Sequence, residues 1–218
     1  MRMRPKKNRE KRLEQVKNLF IKTNDNGNAV IENVYNNSGD LFLEIGCGKG
    51  AFIAGLSKKF PNNRLLAVEL VPDILMMAME KAKSEECDNI RFLNANADKI
   101  DEILPEHSVK CLFLNFSDPW PKKRNAKRRL TAPAFLERYK KILAEDGKIF
   151  FKTDNKDLFD YSLESFVANG YSVSNVCFDL HSDPIFSKEN IETEYEKNFS
   201  AKGFLINYLV AEVRKELP

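Results

Sequence analysis

Residues 40–52 read DLFLEIGCGKGAF. A short apolar run, DLFLEIG (40–46), ends in glycines and passes at once into a segment with helical patterning at 50–59. A strand that stops at glycines and opens a helix lets the backbone turn tightly and bring its amides against a ligand at the helix N-terminus. Two fingerprints fit the same letters. Gly46, Gly48 and Ala51 satisfy G-x-G-x-x-A, the dinucleotide loop, while Gly46, Gly48 and Gly50 satisfy G-x-G-x-G, the loop associated with S-adenosylmethionine. Either way the spacing predicts an α/β protein whose ligand sits at the strand ends.

The same alternation continues outward. RLLAVEL (64–70), NIRFLNAN (89–96), VKCLFLNF (109–116) and KIFFKT (148–153) read as strands. PDILMMAMEKAKSEE (72–86), with Pro in its first turn, a short segment near 98–104, TAPAFLERYKKILAEDG (131–147) closed by Gly147, and 156–169 read as helices. Five β-α units predict a parallel sheet with helices on both faces. YSVSNVCFDL (171–180) and GFLINYLVAEV (203–213) add two strands, expected to pair antiparallel at one edge, with a polar insert and no helical pattern between them. That makes seven strands. No internal repeat and no second core are visible, so residues 13–218 are expected to form one domain. LEQVKNLFI (13–21) suits a short helix and TNDNGN (23–28) a turn-rich break.

The chain has 218 residues, of which 43% are hydrophobic, enough for one sizeable core. No apolar run is long enough to span a bilayer, and the N-terminus lacks a secretory h-region. Cys47, Cys87, Cys111 and Cys177 form no CxxC pair, so no metal site is indicated, and four free thiols suit a reducing cytoplasm. With two histidines, a His-dependent triad has little to draw on. Net charge is only +3, but MRMRPKKNREKR (1–12) carries seven Lys/Arg against one Glu, leaving 28 basic and 31 acidic groups elsewhere. A mobile cationic arm on a mildly acidic body points to a polyanionic partner.

Charge separates the two glycine-loop readings. Glu44, Glu69, Asn96 with Asp98, Asp118 and Asp154 fall at or just past the ends of the first five strands. Carboxylates repel a diphosphate but welcome the sulfonium and ammonium of S-adenosylmethionine. Glu44 lies inside an apolar strand, where a carboxylate is costly without a partner. The ammonium would supply one. Glu69, about 20 residues after the glycine loop, stands where an acid holds ribose hydroxyls. Asn96 and Asp98 could equally cap the short helix that comes after them.

After the fourth strand the chain reads SDPWPKKRNAKRR (117–129). Pro119 keeps Asp118 out of helical geometry, and Trp120 and Pro121 stiffen the loop beyond it, so a carboxylate is fixed beside six cations in eight residues, 122–129. These residues, with EIGCGKG, VEL, TDN (153–155) and TEYE (193–196), resemble bacterial tRNA (guanine-N7)-methyltransferases over roughly residues 40–215. The glycine loop is generic; the SDPWPKKR and TEYE pair is specific. The resemblance implies a Rossmann-like class I methyltransferase fold, S-adenosylmethionine as cofactor, and tRNA as substrate at variable-loop guanosine 46. It assigns Glu44, Gly46, Gly48, Gly50, Glu69, Asn96 and Asp118 to the cofactor and makes Asp118 the catalytic residue. Lys122, Asp154, Thr193, Glu194, Tyr195 and Glu196 correspond to substrate-binding positions, and Arg124, Asn125, Ala126, Lys127, Arg128 and Arg129 to an RNA-contacting segment. Position 96 is often acidic in the family; here Asn can still accept from the adenine amino group.

The chemistry agrees with the resemblance. Guanine N7 carries a free lone pair, so no general base is needed, and Asp118, Asp154 and Glu196 are expected to accept from guanine N1–H and the 2-amino group. Two other readings stay open. An exocyclic-amino methyltransferase would place two prolines after the acid, where SDPW has one. A non-catalytic RNA-binding protein would keep the basic segments without binding the cofactor. A nicotinamide dehydrogenase comes third, opposed by the row of acids. The oligomeric state is left as monomer or homodimer.

Overall fold

The computed structural model describes residues 8–21, 35 and 37–215. The expected turn at 23–28 and the first seven residues of the basic arm lie outside the described residues. Among the described residues the chain runs α1 (Arg9–Val16), a 3-10 turn (Lys17–Leu19), β1 (Leu41–Ile45), α2 (Ala51–Lys59), β2 (Arg64–Glu69), α3 (Pro72–Ser84), β3 (Ile90–Asn94), α4 (Ile100–Ile103), β4 (Val109–Asn115), α5 (Pro133–Ile142), β5 (Leu143–Thr153), α6 (Lys156–Ala168), β6 (Tyr171–Cys177), α7 (Phe186–Glu189), α8 (Glu194–Ser200) and β7 (Asn207–Val213).

The seven strands form one sheet in the order β3-β2-β1-β4-β5-β7-β6. The first five are parallel, and β7 runs antiparallel between β5 and β6, as the two trailing strand patterns predict. Period-two alternation sends Leu41, Leu43 and Ile45 to the face packed by Ile100, Leu136, Tyr139 and Phe159 from α4, α5 and α6. Phe42 and its neighbours Leu65, Ala67 and Phe92 face Phe52, Ile53, Leu75 and Met79 from α2 and α3. Both faces are dry, which is why β1 reads as an unbroken apolar run apart from Glu44. Strand order reverses between β1 and β4, so the chain segments leaving those two strands diverge around a crevice.

Three local expectations are corrected. The helix expected over 131–147 stops at Ile142, and Leu143 already has extended geometry (φ −68°, ψ 134°) opening β5. Gly147 is therefore no helix cap. A Cβ there would lie 2.9 Å from the carbonyl oxygens of both Ala144 and Val109, so the residue is small because two backbones pass close. The polar insert before β7 holds two short helices, α7 and α8, whose few turns leave too little apolar periodicity to read. Finally, residues 9–12 of the basic arm are helical. Arg9 pairs with Asp73 at 2.9 Å and Arg12 with Glu80, which docks α1 on α3, and Phe20 then bridges to Phe92 along the outer edge of β3.

Candidate active site

The turn after β1 is built on backbone geometry. Gly46 and Cys47 both donate to Val68 O, at 2.8 and 3.1 Å, and Gly46 takes φ of 80°, a left-handed conformation that favours glycine. No atom would meet a Cβ on Gly46, so its bare α-carbon opens onto the crevice. Gly50 has a different reason: a Cβ there would lie 2.8 Å from that of Ala78, so it lets α2 and α3 close together. Glu69 spans the two turns, accepting from Gly48 N at 3.2 Å and from Val71 N at 2.9 Å. Asn96 caps the turn after β3, accepting from Asp98 N and donating to Asp98 Oδ2. The letters leave this capping alternative open for Asn96, and the geometry takes it, with the residue still exposed to the crevice.

Beneath the turn lies a polar row of which the sequence reading picks out only Glu44. At or one residue before their C-terminal ends, strands β1, β4 and β5 carry Phe42-Leu43-Glu44, Phe113-Leu114-Asn115 and Phe150-Phe151-Lys152. In each, an aromatic and a polar residue two positions on share the α2 face of the sheet. Asn115 Nδ2 donates to Glu44 Oε1 at 3.0 Å. Glu44 Oε2 is buried and has no partner. Burial pushes the Glu44 carboxyl up to about 7, against the lowering effect of Asn115 and Lys152. Repeated F-x-polar endings on neighbouring strands are the signal that could have exposed Asn115 and Lys152.

The segment after β4 is strained. Phe116 and Trp120 take φ of 51° and 43°, uncommon for residues with bulky side chains, and Phe116 N donates to Lys152 O at 2.8 Å. Asp118 is exposed in this segment. The basic stretch forms a 3-10 turn over Lys123–Arg128, with Lys122, Lys123, Arg124, Lys127 and Arg128 exposed, Asn125 and Ala126 half-buried, and the Arg128 guanidinium 4.9 Å over the Trp120 ring. Arg129 departs from the expected RNA-contacting run. It is half-buried, donates to Pro119 O at 3.0 Å and Trp120 O at 3.2 Å, and stacks 4.3 Å over Tyr161. Its guanidinium clamps the Asp118 loop to α6.

The TEYE stretch opens α8. Thr193 Oγ1 accepts from Glu196 N at 2.9 Å, and Glu196 Oε2 accepts from Thr193 N at 3.3 Å, a reciprocal capping box. Glu196 is fully buried and also accepts from Lys152 Nζ at 2.7 Å, Asn190 Nδ2 at 2.6 Å and His181 Nε2 at 3.1 Å. The expectation that it presents an acceptor to guanine is corrected: its oxygens are spent inside the fold. Tyr195 donates to Asp154 Oδ2 at 3.1 Å, and Glu194 lies 3.5 and 3.6 Å from Lys49 and Lys81.

These parts enclose two cavities. One, of about 350 Å³, is lined by Glu44, the glycine turn, Phe52, Thr193, Glu194 and Tyr195. The other, of about 830 Å³, is lined by Glu69, Asn96, Asp98, Asp118, Trp120, Lys127 and Arg128. They meet at Gly46, Asn115 and Phe116. Buried Glu44 and half-buried Glu69 are joined in this lining by exposed Asp98 and Asp118 and by exposed Lys49, Lys127 and Arg128.

Comparison with known proteins places the chain. A family model described as "Putative methyltransferase" matches residues 38–207. The tRNA (guanine-N(7)-)-methyltransferase of Lachnoclostridium phytofermentans is 45% identical over 183 residues, 84% of this chain and 85% of that protein. The enzyme of the same name from Listeria innocua is 39% identical over 216 residues, 99% of this chain and 100% of that protein. Among solved structures, a SAM dependent methyltransferase from Aquifex aeolicus superposes with a TM-score of 0.58 at 16% identity, covering 82% of this chain and 84% of that one, a likeness of fold. Close sequence identity across nearly the whole chain, on a methyltransferase fold with its glycine turn and acid-lined crevice intact, means that this chain belongs to the tRNA (guanine-N7)-methyltransferase family.

Proposed function

We propose that the chain transfers the methyl group of S-adenosylmethionine to N7 of a guanine in tRNA, with variable-loop guanosine 46 as the target. The observation that carries this reading is the pairing of charges in one crevice: buried Glu44, half-buried Glu69 and exposed Asp118 line it together with exposed Lys127 and Arg128. A buried carboxylate oxygen without a donor, Glu44 Oε2, fits an ammonium group. The bare α-carbon of Gly46 leaves room beside it.

Glu44, Gly46, Gly48, Glu69 and Asn96 would hold the cofactor, with Gly50 acting through the α2–α3 contact. When bound there, S-adenosylmethionine supplies an electrophilic methyl group on a sulfonium. N7 carries its own lone pair, so no residue has to remove a proton. Asp118 orients the purine and stabilises the positive charge that develops on it. Asp118 and Asp154 accept from guanine N1–H and the 2-amino group, and adenine would leave such an acceptor unpaired, a mismatch worth roughly 10⁴-fold in discrimination. Holding the reacting atoms in line contributes up to ~7–11 kcal/mol. The guanosine swings out of its stack to enter, and Lys122, Arg124, Lys127 and Arg128 hold the phosphates around it. Arg9 and Arg12 are committed to α3, so α1 is part of the domain and the basic arm that reaches RNA is shorter than residues 1–12.

Among the described residues no helix is long and apolar enough to cross a membrane, and we place the reaction in the cytoplasm, by a monomer or homodimer. The test is to incubate unmodified tRNA with protein and labelled S-adenosylmethionine and map the product. 7-Methylguanosine in the variable loop is expected; label on an exocyclic amino group, or none, overturns the reading.

A further inference from the structure

Four aromatic rings run outward from the crevice. Phe116, which lines both cavities, lies 5.1 Å from Tyr195. Tyr195 stacks on Phe199 with centroids 4.0 Å apart and planes 13° apart, and Phe204 meets Phe199 edge-on at 5.4 Å. The column does not end in the core. Phe204 keeps 49% of its surface in water, and neighbouring Leu205 keeps 57%. The Lys202 ammonium stands 4.9 Å over the Phe199 ring, and no ion pair engages it among the described residues. A chain normally hides rings of this size, or gives them a partner.

The backbone holds the outer ring in place. Gly203, at φ 83°, turns the chain, Gly203 N donates to Ser200 O at 2.9 Å, and Phe204 N returns to Phe199 O at 3.2 Å. That pair of bonds is a Schellman closure of α8, and the Phe199–Phe204 contact is the apolar contact that accompanies it. Closing a helix needs only an apolar residue at 204. It does not need a ring with an exposed face at the head of a stack that reaches the methyl-transfer crevice, beside that lysine.

We propose that Phe204, backed by Phe199 and Tyr195, is a stacking platform for an unpaired nucleobase of the RNA strand adjoining the target guanosine, with Lys202 against its phosphate. This rests on the tRNA reading above. Extruding one nucleotide unstacks its neighbour, and a sequence-tolerant aromatic surface with a nearby cation is the chemistry that takes up such a base. Continuity through Tyr195 and Phe116 places the platform on the path of the strand that enters the crevice.

The experiment compares wild type with Phe204→Leu, which keeps the apolar helix closure and loses the ring, and Phe204→Trp, which keeps a ring. Thermal midpoint and S-adenosylmethionine affinity serve as controls. Phe204→Leu is expected to raise KM for tRNA about fivefold or more, to leave the salt slope of tRNA binding unchanged, and to keep the wild-type midpoint. Phe204→Trp should restore KM, while Lys202→Ala should lower the salt slope. Wild-type KM in Phe204→Leu, with 7-methylguanosine still formed by wild type, overturns the platform alone. A KM loss in Phe204→Leu that tracks a fall in thermal midpoint also overturns it. Wild-type protein that leaves tRNA unmethylated overturns the function and the platform together.

Discussion

Lys152 Nζ lies 2.7 Å from Glu196 Oε2, and both side chains are almost wholly out of solvent. The ammonium spends its other donors on Asn190 Oδ1 and Ile191 O, each at 2.9 Å, so every proton it carries has a partner. Burial presses the Lys152 ammonium below its ordinary pKa, and Glu196 opposes that. One strand of the sheet thus anchors the insert whose capping box presents Thr193, Glu194 and Tyr195 to the crevice.

Removing one side of that pair strands a buried charge. Lys152→Met should cost about 3–5 kcal/mol of folding stability, read by urea denaturation, and Lys152→Met/Glu196→Gln should recover much of it. Turnover should fall in step with stability. Glu196→Gln that abolishes methylation at wild-type stability would instead return Glu196 to direct substrate contact.

Glu44 makes the ligand-free protein sensitive to pH in a defined direction. Burial in the folded protein pushes its carboxyl up from the ordinary value of 4.5 to about 7. Between those values the folded protein keeps a proton that the unfolded chain has released, so the contribution of Glu44 to stability is fully present below 4.5 and is lost as pH rises through 7. The difference is about 3 kcal/mol. Glu44→Gln should flatten this decline and raise the melting temperature at pH 8. In the proposed site the same change would remove the partner of the cofactor ammonium, so calorimetry should find S-adenosylmethionine bound about tenfold or more weakly. Unaltered affinity would take Glu44 out of the cofactor site.

Asp118 is exposed and makes no structural hydrogen bond among those described, so Asp118→Asn should fold as wild type. Turnover is expected to fall at least about 10²-fold if its charge stabilises the developing cation, with tRNA affinity kept within a few-fold. Full activity in the variant would sink the assigned role.

The basic stretch divides into two jobs. Replacing Arg124, Lys127 and Arg128 with Gln should flatten the dependence of log K on log salt by up to ~0.9 for each lost phosphate contact. Arg129→Lys should leave that slope alone and lower kcat, because it loosens the clamp on Pro119 and Trp120. A slope change in Arg129→Lys equal to that of its neighbours would show that it grips RNA after all.

Much of the site is legible in the letters because its parts are local. The glycine turn rests on three residues that tolerate left-handed backbone, and Glu44 is conspicuous as a charge in an apolar strand. Asp118 stands out through Pro119 and the cations beside it. Asn115 and Lys152 escape notice because each reads as the polar end of a strand until neighbouring strands are aligned. Arg129 groups with its neighbours because nothing in KKRNAKRR marks which cation turns inward. Gly147 reads as a helix stop because a cap and a close backbone approach use the same residue.

The sequence by itself determined the alternation of strands and helices, the loop that turns under a cofactor, and the sign of the charge around it, since these depend on dihedral preference and on spacing along the chain. Only the tertiary structure decided which charges are spent within the fold and which remain for a ligand. Partnership is a matter of distance between residues far apart in the chain: Lys152 claims Glu196, and Arg129 claims the carbonyls beside Asp118, while Glu44 keeps one oxygen free.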